Sequence, residues 1–205
     1  MKNMPLRERK KYQTMANILD AFILSLKKNN FNDILIEDIC NQISISKVTF
    51  FRYFSTKEEV LDYFVLRWCY QRSLEIFNKK YIGVAGLYHV FQSTAEIPNS
   101  ERIFVALINY YSKLKDKPTF KELSKYERYI ISNSTDDAVD IKLYSLKEIL
   151  NYYLQEIENI DKSKLNVYLD HLVTLFYGVP FHVHIDMSGE SLVNAYKRHL
   201  DIIFK

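Results

Sequence analysis

The sequence predicts an all-α protein, and three observations lead to this fold class. The chain of 205 residues contains only four glycines and four prolines, whereas strand-rich folds need many turns built from these residues. Apolar residues make up 48% of the composition, which is enough for a substantial core. They recur at spacings of three and four along most of the chain, which is the period of an amphipathic helix.

The N-terminal part is expected to contain a polar arm followed by four helices. Residues 1–11 are polar and basic, so we expect a mobile arm there. Apolar side chains between Met15 and Leu26 then occupy one face of a first helix. Residues suited to N-caps precede three further helices, which are predicted at about residues 34–42, 47–54 and 57–80.

The rest of the chain is also expected to be helical. Interruptions are marked by Pro98, by Pro118 and by the polar stretch 132–135. The helical period predicts six more segments, at about residues 84–96, 101–115, 119–132, 137–159, 163–185 and 189–204.

Charge is spread unevenly along the chain, whose net charge is +3. Residues 1–57 carry ten Lys or Arg and five Asp or Glu, which gives +5. Residues 58–205 carry eighteen and twenty, which gives −2. A basic N-terminal part favours a polyanionic partner at that end, although a chance scatter of surface lysines would look the same.

The sequence lacks the marks of several other classes of protein. Cys40 and Cys69 form no metal-type cluster and no disulfide framework, and His182 and His184 fall on different faces of a helix. No phosphate-binding or catalytic signature is present, so we expect no catalytic residue, metal or cofactor. A secretory signal and an apolar run of about 20 residues are also missing, which favours a soluble cytoplasmic protein.

The second and third helices have the proportions of a helix-turn-helix, with residues 42–46 as the turn. The third helix must pack one apolar face on the scaffold and present a polar face to the major groove of DNA. Phe50 and Phe54 are four apart and are expected in the core. Lys47, Thr49, Arg52 and Tyr53 then face the other side, where they suit bases and phosphates.

These residues resemble a known family. The stretch 36–40 (IEDIC), followed by 45–58 (ISKVTFFRYFSTKE), is similar to the DNA-binding domain of tetracycline-repressor-like (TetR) regulators. The resemblance covers roughly residues 10–60 and is most specific from Ser46 to Lys57. It implies a DNA-binding domain at residues 1–56, with contacts to DNA from Lys47, Val48, Thr49, Phe51, Arg52, Tyr53 and Lys57.

Some positions depart from the family pattern. Leu35 stands where a phosphate-binding Thr is frequent, and Phe51 stands where Tyr is frequent and so lacks its hydroxyl. Val48 takes the place of a small residue, Asn30 that of a glycine, and Cys40 that of an alanine. Because cysteine behaves as a small apolar residue, we expect Cys40 to pack in the core.

Residues 57–205 are expected to bind an effector and to dimerise. Fourteen of the sixteen tyrosines follow residue 61, and such rings can line an apolar cavity or simply fill the core. The resemblance implies a pocket for a small molecule, for which we consider Trp68, Phe104, Tyr110, Tyr111, Tyr144 and Tyr177. The long fourth helix is the natural connection from that pocket to the DNA-binding domain.

The last two helices carry broad apolar stripes, which predict a four-helix interface between two copies of the chain. Part of each stripe must also pack within one subunit. The interface is predicted to include Leu165, Leu169, Leu172, Phe176, Leu192, Tyr196, Leu200 and Ile203. A homodimer would match a palindromic operator in double-stranded DNA.

The resemblance implies a repressor that a small-molecule effector releases from DNA. Two alternatives remain open at this point. One is a structural or nucleoid protein that binds DNA without an effector, which a core lacking any pocket would favour. The other is a helical enzyme or carrier, against which the basic face of the third helix argues.

Overall fold

The computed structural model describes residues 5–115, 122–133, 136–186 and 189–205. Within these ranges the chain forms α-helices and two short 3-10 helices and has no strand, which confirms the all-α prediction. The α-helices are α1 (Leu6–Ser25), α2 (Ile36–Gln42), α3 (Lys47–Tyr53), α4 (Glu58–Phe77), α5 (Gly83–Ala95), α6 (Ser100–Tyr111), α7 (Lys125–Ile131), α8 (Leu146–Gln155), α9 (Leu165–Asp186) and α10 (Leu192–Phe204).

The chain divides into two compact units. The first comprises Met1–Gln71 and Ala106–Ile141, and the second comprises Arg72–Val105 and Lys142–Lys205. Helices α1, α2 and α3 therefore belong to the first unit, and α5, α8, α9 and α10 to the second. The predicted boundary after residue 56 separates a DNA-binding part from an effector-binding part, whereas these two units are defined by packing. The functional boundary remains a prediction.

Aromatic side chains fill much of the core of the first unit. The ring of Phe22 in α1 meets that of Phe31 edge to face, with the centroids 5.7 Å apart. Phe50 contacts Phe54, and Phe54 contacts Tyr63 of α4, at centroid distances of 5.9 and 5.6 Å. All five rings are buried, which confirms the prediction that Phe50 and Phe54 hold the third helix in place.

Helix α1 begins earlier than the sequence analysis predicted. Residues 6–11 were expected in a mobile arm, but α1 starts at Leu6, and the amide of Arg9 donates to the carbonyl of Pro5 (3.1 Å). Lysine and arginine are good helix formers, so a helix continues through them beyond its buried face. Residues 1–4 of the predicted arm lie outside the described residues.

Capping boxes set the starts of two later helices. Ser124 caps α7 with Glu127, and Ser145 caps α8 with Glu148. Helix α8 is therefore much shorter than the predicted segment 137–159. The first residues of the predicted segment 119–132 lie outside the described residues. In the described part of this segment, α7 starts at Lys125.

The second unit combines a close helix approach with a buried charged cluster. A Cβ atom on Gly86 of α5 would lie 2.1 Å from the ring of Tyr153 in α8, so only glycine fits there. The guanidinium of Arg72 donates to Glu75 (3.0 Å), whose other oxygen lies 3.0 Å from Nε2 of His89. Arg72 and Glu75 are both buried, and mutual pairing is what makes such burial tolerable.

None of the helices in the described ranges combines the length and the apolar character that crossing a membrane would need.

Candidate nucleic-acid interface

The turn between α2 and α3 is a tight left-handed one. Ser44 has a φ of 56°, the amide of Ser44 donates to the carbonyl of Asn41, and that of Ile45 donates to the carbonyl of Cys40. These two bonds define a Schellman motif, which usually has glycine at the left-handed position. The motif ends α2 and allows α3 to begin three residues after Ser44.

Ser46 caps the start of α3. Its Oγ accepts a hydrogen bond from the amide of Thr49 (3.1 Å) and also lies 3.0 Å from the hydroxyl of Thr49. Phe50 points into the core and is 1% exposed. The cap and the buried ring together fix which face of the short α3 remains in solvent.

The exposed face of α3 carries apolar and basic side chains side by side. Val48 is 71% exposed and Phe51 is 51% exposed. Neighbouring large apolar side chains in solvent often mark a contact surface. Arg52 is exposed as well, and Thr49 and Tyr53 are half-buried. Of the predicted DNA contacts, Lys47, Val48, Phe51 and Arg52 are therefore the freely exposed residues.

Lys47 forms an ion pair that the sequence analysis did not predict. Its Nζ lies 2.6 Å from Oε2 of Glu37 in α2, and both side chains are exposed. The hydrogen bond lowers the pKa of Glu37 and raises that of Lys47. The pair places a carboxylate next to the most N-terminal cation of α3, so Lys47 must exchange this partner to contact DNA.

Lys57 is half-buried, and its ammonium group faces the chain itself. It donates to the carbonyl oxygens of Phe31, Asn32 and Ile34 at 2.9, 2.8 and 3.3 Å. The Nζ atom also lies 4.9 Å from the centre of the Phe31 ring. The DNA contact expected from Lys57 remains a prediction.

The residues considered for an effector pocket belong to both units. Trp68, Tyr110 and Tyr111 are in the first unit, where the hydroxyl of Tyr110 donates to Asp62 (2.9 Å). Burial raises the pKa of Asp62, and it raises that of Tyr110 to about 12. Because Trp68, Tyr110 and Tyr111 are all half-buried, they keep some surface for a ligand.

The other three residues considered for the pocket are in the second unit. The ring of Phe104 is 5.1 Å from that of Phe176 and 5.9 Å from that of Tyr177, and Phe104 is buried. Tyr144 instead neighbours Tyr152, at 6.5 Å. Phe104 thus fills the core of its unit, while Tyr144 and Tyr177 are half-buried. The assignment of these six residues to a pocket remains a prediction.

The residues named for the dimer interface differ in the surface that they leave open, and their assignment remains a prediction. Six of them are buried within a single chain, where they have little surface left for a second copy; these are Leu169, Leu172, Phe176, Leu192, Tyr196 and Leu200. Leu165 and Ile203 are half-buried. The spacing of apolar residues in a sequence does not distinguish a helix face that packs inside a subunit from one that packs against a partner.

A different face of α9 is open to solvent. Exposed residues recur along it at alternating intervals of four and three; they are Val167, His171, Thr174, Gly178, Phe181 and Ile185. Three of these are large apolar residues, and Ile202 of α10 is exposed as well, at 77%. This stripe has the spacing at which helices pair.

The structure identifies two residues near α3 that the sequence analysis missed, Glu37 and Phe31. Glu37 pairs with a residue ten positions away and Phe31 with one twenty-six positions away. The only local signal for the ion pair was an acidic residue in the first turn of α2. Acidic residues are favoured there in any helix, so this signal does not indicate a partner.

Cys40 and Cys69 are both buried, and burial raises the pKa of the Cys40 thiol, as expected for a packed side chain. In the part of the chain that the structure describes, no group of three His, Cys, Asp or Glu residues could hold a metal ion.

An all-α chain with a capped α2–turn–α3 unit near its N-terminus is a helix-turn-helix protein. Its structure is similar to that of a TetR transcriptional regulator from Rhodococcus sp. RHA1, with a TM-score of 0.54 and 16% sequence identity over 96% of this chain and 97% of that chain. No protein-family model and no curated protein sequence matches the chain. At this identity the similarity concerns the fold, which is TetR-like, as the resemblance of residues 10–60 implied.

Proposed function

We propose that this chain is a homodimeric, DNA-binding transcriptional regulator whose α3 enters the major groove of a palindromic operator. The exposed face of α3 carries the proposal, because Val48, Phe51 and Arg52 are exposed on a helix whose opposite face is locked by Phe50. The TetR-like fold supports it. Such a regulator would act in the cytoplasm, on double-stranded DNA.

The side chains of α3 suit the chemistry of base edges. Val48 and Phe51 offer apolar contacts to the methyl groups of thymine, and Arg52 can donate two hydrogen bonds to guanine. Thr49 and Tyr53 carry hydroxyl groups that can reach phosphates. Each good base contact is worth about 1–3 kcal/mol of discrimination, so a few of them per half-site distinguish an operator from other DNA.

A second copy of this chain is the proposed occupant of the exposed stripe on α9. The stripe repeats at alternating steps of four and three, and Gly178 at its middle would let two helices approach closely. One helix-turn-helix offers little contact area, whereas two related by a twofold axis match two half-sites. The dimer is thus required for specific binding as well as for covering Val167, Phe181 and Ile185.

The proposed mode of action is repression that a small molecule relieves. Trp68, Tyr110 and Tyr111, next to Asp62, are candidate ligand contacts in the first unit. An effector must bind the DNA-free state more tightly than the DNA-bound one, since a ligand shifts an equilibrium only by its difference in affinity. Trp68 is the sole tryptophan, so compounds can be screened by its fluorescence and then tested on the complex with DNA.

Selection from a random pool of duplex DNA tests the core of the proposal. We expect enrichment of a palindromic motif, followed by tight binding that weakens as salt increases. Arg52→Ala should lose about 1–3 kcal/mol on that motif and relax specificity at one position per half-site. Arg198→Ala, which removes an exposed arginine of the second unit paired with Glu190, is the control and should bind as the wild type does. Failure to enrich any motif would exclude a sequence-specific regulator.

A further inference from the structure

Lys57 joins two parts of the first unit that are far apart in sequence. It immediately precedes α4, and its three acceptors are in the connection between α1 and α2. We propose that Lys57 is a positioning residue that fixes the connection before α2 onto the start of α4, and thereby sets the orientation of α3 for DNA. This rests on the proposed function, but the contact itself can be tested without DNA.

The donor capacity of the ammonium group is matched by its acceptors. A lysine ammonium has three N–H groups and accepts nothing, and three carbonyl oxygens lie within 2.8–3.3 Å of Nζ. A charged donor also strengthens each of these bonds relative to a neutral one. A phosphate oxygen could reach Nζ of Lys57 only by displacing one of these three carbonyl oxygens. Among the contacts described, the displaced carbonyl would have no other charged donor.

Phe31 anchors this contact to the core. Its backbone oxygen accepts from Lys57, its ring lies below the same ammonium at 4.9 Å, and it is 7% exposed. The ring of Phe31 also contacts the ring of Phe22 in α1, edge to face. Lys57 is thus held against a buried aromatic pair rather than against a mobile loop.

The contact acts on α3 through α2. Ile34, the last of the three acceptors, is buried and stands two residues before the start of α2. Helix α2 is joined to α3 by the tight turn at Ser44. On the other side, α3 runs through Phe54 to Lys57 itself, so the contact closes a loop that contains the whole helix-turn-helix. Loss of Lys57 would open this loop without touching the exposed face of α3.

Amine labelling of the wild-type protein tests the contact directly. With a limiting amount of an N-hydroxysuccinimide ester and peptide mass spectrometry, Lys57 should react at least about tenfold more slowly than Lys27 and Lys28, because its reaction requires local opening. Lys27 and Lys28 are exposed at the end of α1 and serve as internal references. Labelling of Lys57 at their rate would overturn the proposal, and no variant has to fold for this result.

Binding to the selected DNA motif separates positioning from a phosphate contact. Lys57→Arg keeps the positive charge, but its planar guanidinium cannot match three converging carbonyls. We expect both Lys57→Arg and Lys57→Met to lose about tenfold or more in affinity for the motif, with affinity for random DNA nearly unchanged. The log–log salt slope should stay at the wild-type value for both variants.

A phosphate contact predicts a different pattern. Lys57→Met would then weaken motif and random DNA alike and make the salt slope shallower by about 0.9, while Lys57→Arg would bind normally. That pattern would overturn the proposal. If the wild-type chain selects no DNA motif, the proposed function fails instead, and the labelling rate of Lys57 still decides whether the contact exists.

Discussion

The hydroxyl group of Tyr196 donates a hydrogen bond of 2.6 Å to the backbone carbonyl of Phe176, and the bond is buried between α10 and α9. Pro180 lies inside α9, four residues after Phe176. Proline has no N–H group, so it cannot supply the helical hydrogen bond that the Phe176 carbonyl would otherwise receive from position 180. The tyrosine provides a donor from the neighbouring helix in place of the missing amide.

We expect Tyr196→Phe to destabilise the protein by about 1–3 kcal/mol, because it removes a donor from a buried carbonyl. Burial raises the pKa of Tyr196, so the phenol keeps its proton and remains a donor at neutral pH. Urea unfolding measures the change. In a Pro180→Ala background position 180 regains its amide, so Tyr196→Phe should cost about 1 kcal/mol less there. Equal costs in the two backgrounds would show that Pro180 and Tyr196 act independently.

The left-handed turn at Ser44 leads to a prediction of increased stability. A non-glycine residue with a φ of 56° is strained by roughly 1–2 kcal/mol, and a Schellman motif favours glycine. Ser44→Gly should therefore raise the free energy of unfolding by about 0.5–1 kcal/mol after the entropy of glycine is counted.

Asn30→Gly is the matched control for this turn. Asn30 stands where the family often has glycine, but here its backbone is extended, with a φ of −71°. Glycine at position 30 should lower the free energy of unfolding, because it adds freedom to the unfolded chain and gains nothing in the folded one. Thermal unfolding of the two variants side by side tests this account. A shift of both unfolding temperatures in the same direction would contradict it.

Helices and caps followed from the sequence because their causes are local. Apolar spacing predicted α3, α10 and the end of α1 within a few residues, and Ser46 was recognised as a cap before α3. The start of α8 was missed even though Ser145 and Glu148 form a readable capping box. A continuous helical period over 137–159 concealed it, since periodicity shows where a helix can form rather than where it begins.

Long-range contacts were not predictable in the same way. The acceptors of Lys57 lie 23–26 residues away, and the spacing of side chains along one helix carries no information about them. The dimer residues remain a prediction for another reason. Leu172 and Leu200 belong to apolar stripes, but a stripe that packs within the subunit and one that packs on a partner have the same period.

The ion pair between Lys47 and Glu37 should restrain binding to random DNA. In the free protein the carboxylate neutralises Lys47, so each phosphate contact of Lys47 must first break the pair. Glu37→Gln should strengthen binding to random DNA and make the salt slope steeper by about 0.9, as expected for one more cation that releases a counterion. Fluorescence anisotropy at several salt concentrations measures both quantities.

Asp38→Asn is the control for this effect. It removes the same charge from the same exposed turn of α2 but leaves the pair of Glu37 and Lys47 intact. If both variants steepened the slope equally, the effect would come from net charge and not from the ion pair. The pair itself is exposed, so neither variant should change the thermal unfolding temperature measurably.

We expect the exposed stripe of α9 to determine the oligomeric state. Phe181 and Ile185 are apolar, exposed and one helical turn apart. Phe181→Lys combined with Ile185→Lys should give a monomer that keeps its helical circular dichroism, because neither side chain is needed in the core of the subunit. The monomer should lose most of its affinity for a palindromic motif, since only one half-site can then be held.

Two controls make this prediction specific. Leu24→Lys together with Leu6→Lys adds the same charge at exposed apolar positions of α1 and should leave the dimer intact. Leu172→Lys changes a side chain with no exposed surface, so it should unfold the chain rather than separate two folded copies, because an unpaired charge cannot be buried at an acceptable cost. Sedimentation velocity at micromolar concentration distinguishes these results. A wild-type chain that sediments as a monomer would exclude the homodimer, and a double variant of α9 that remains dimeric would place the interface elsewhere.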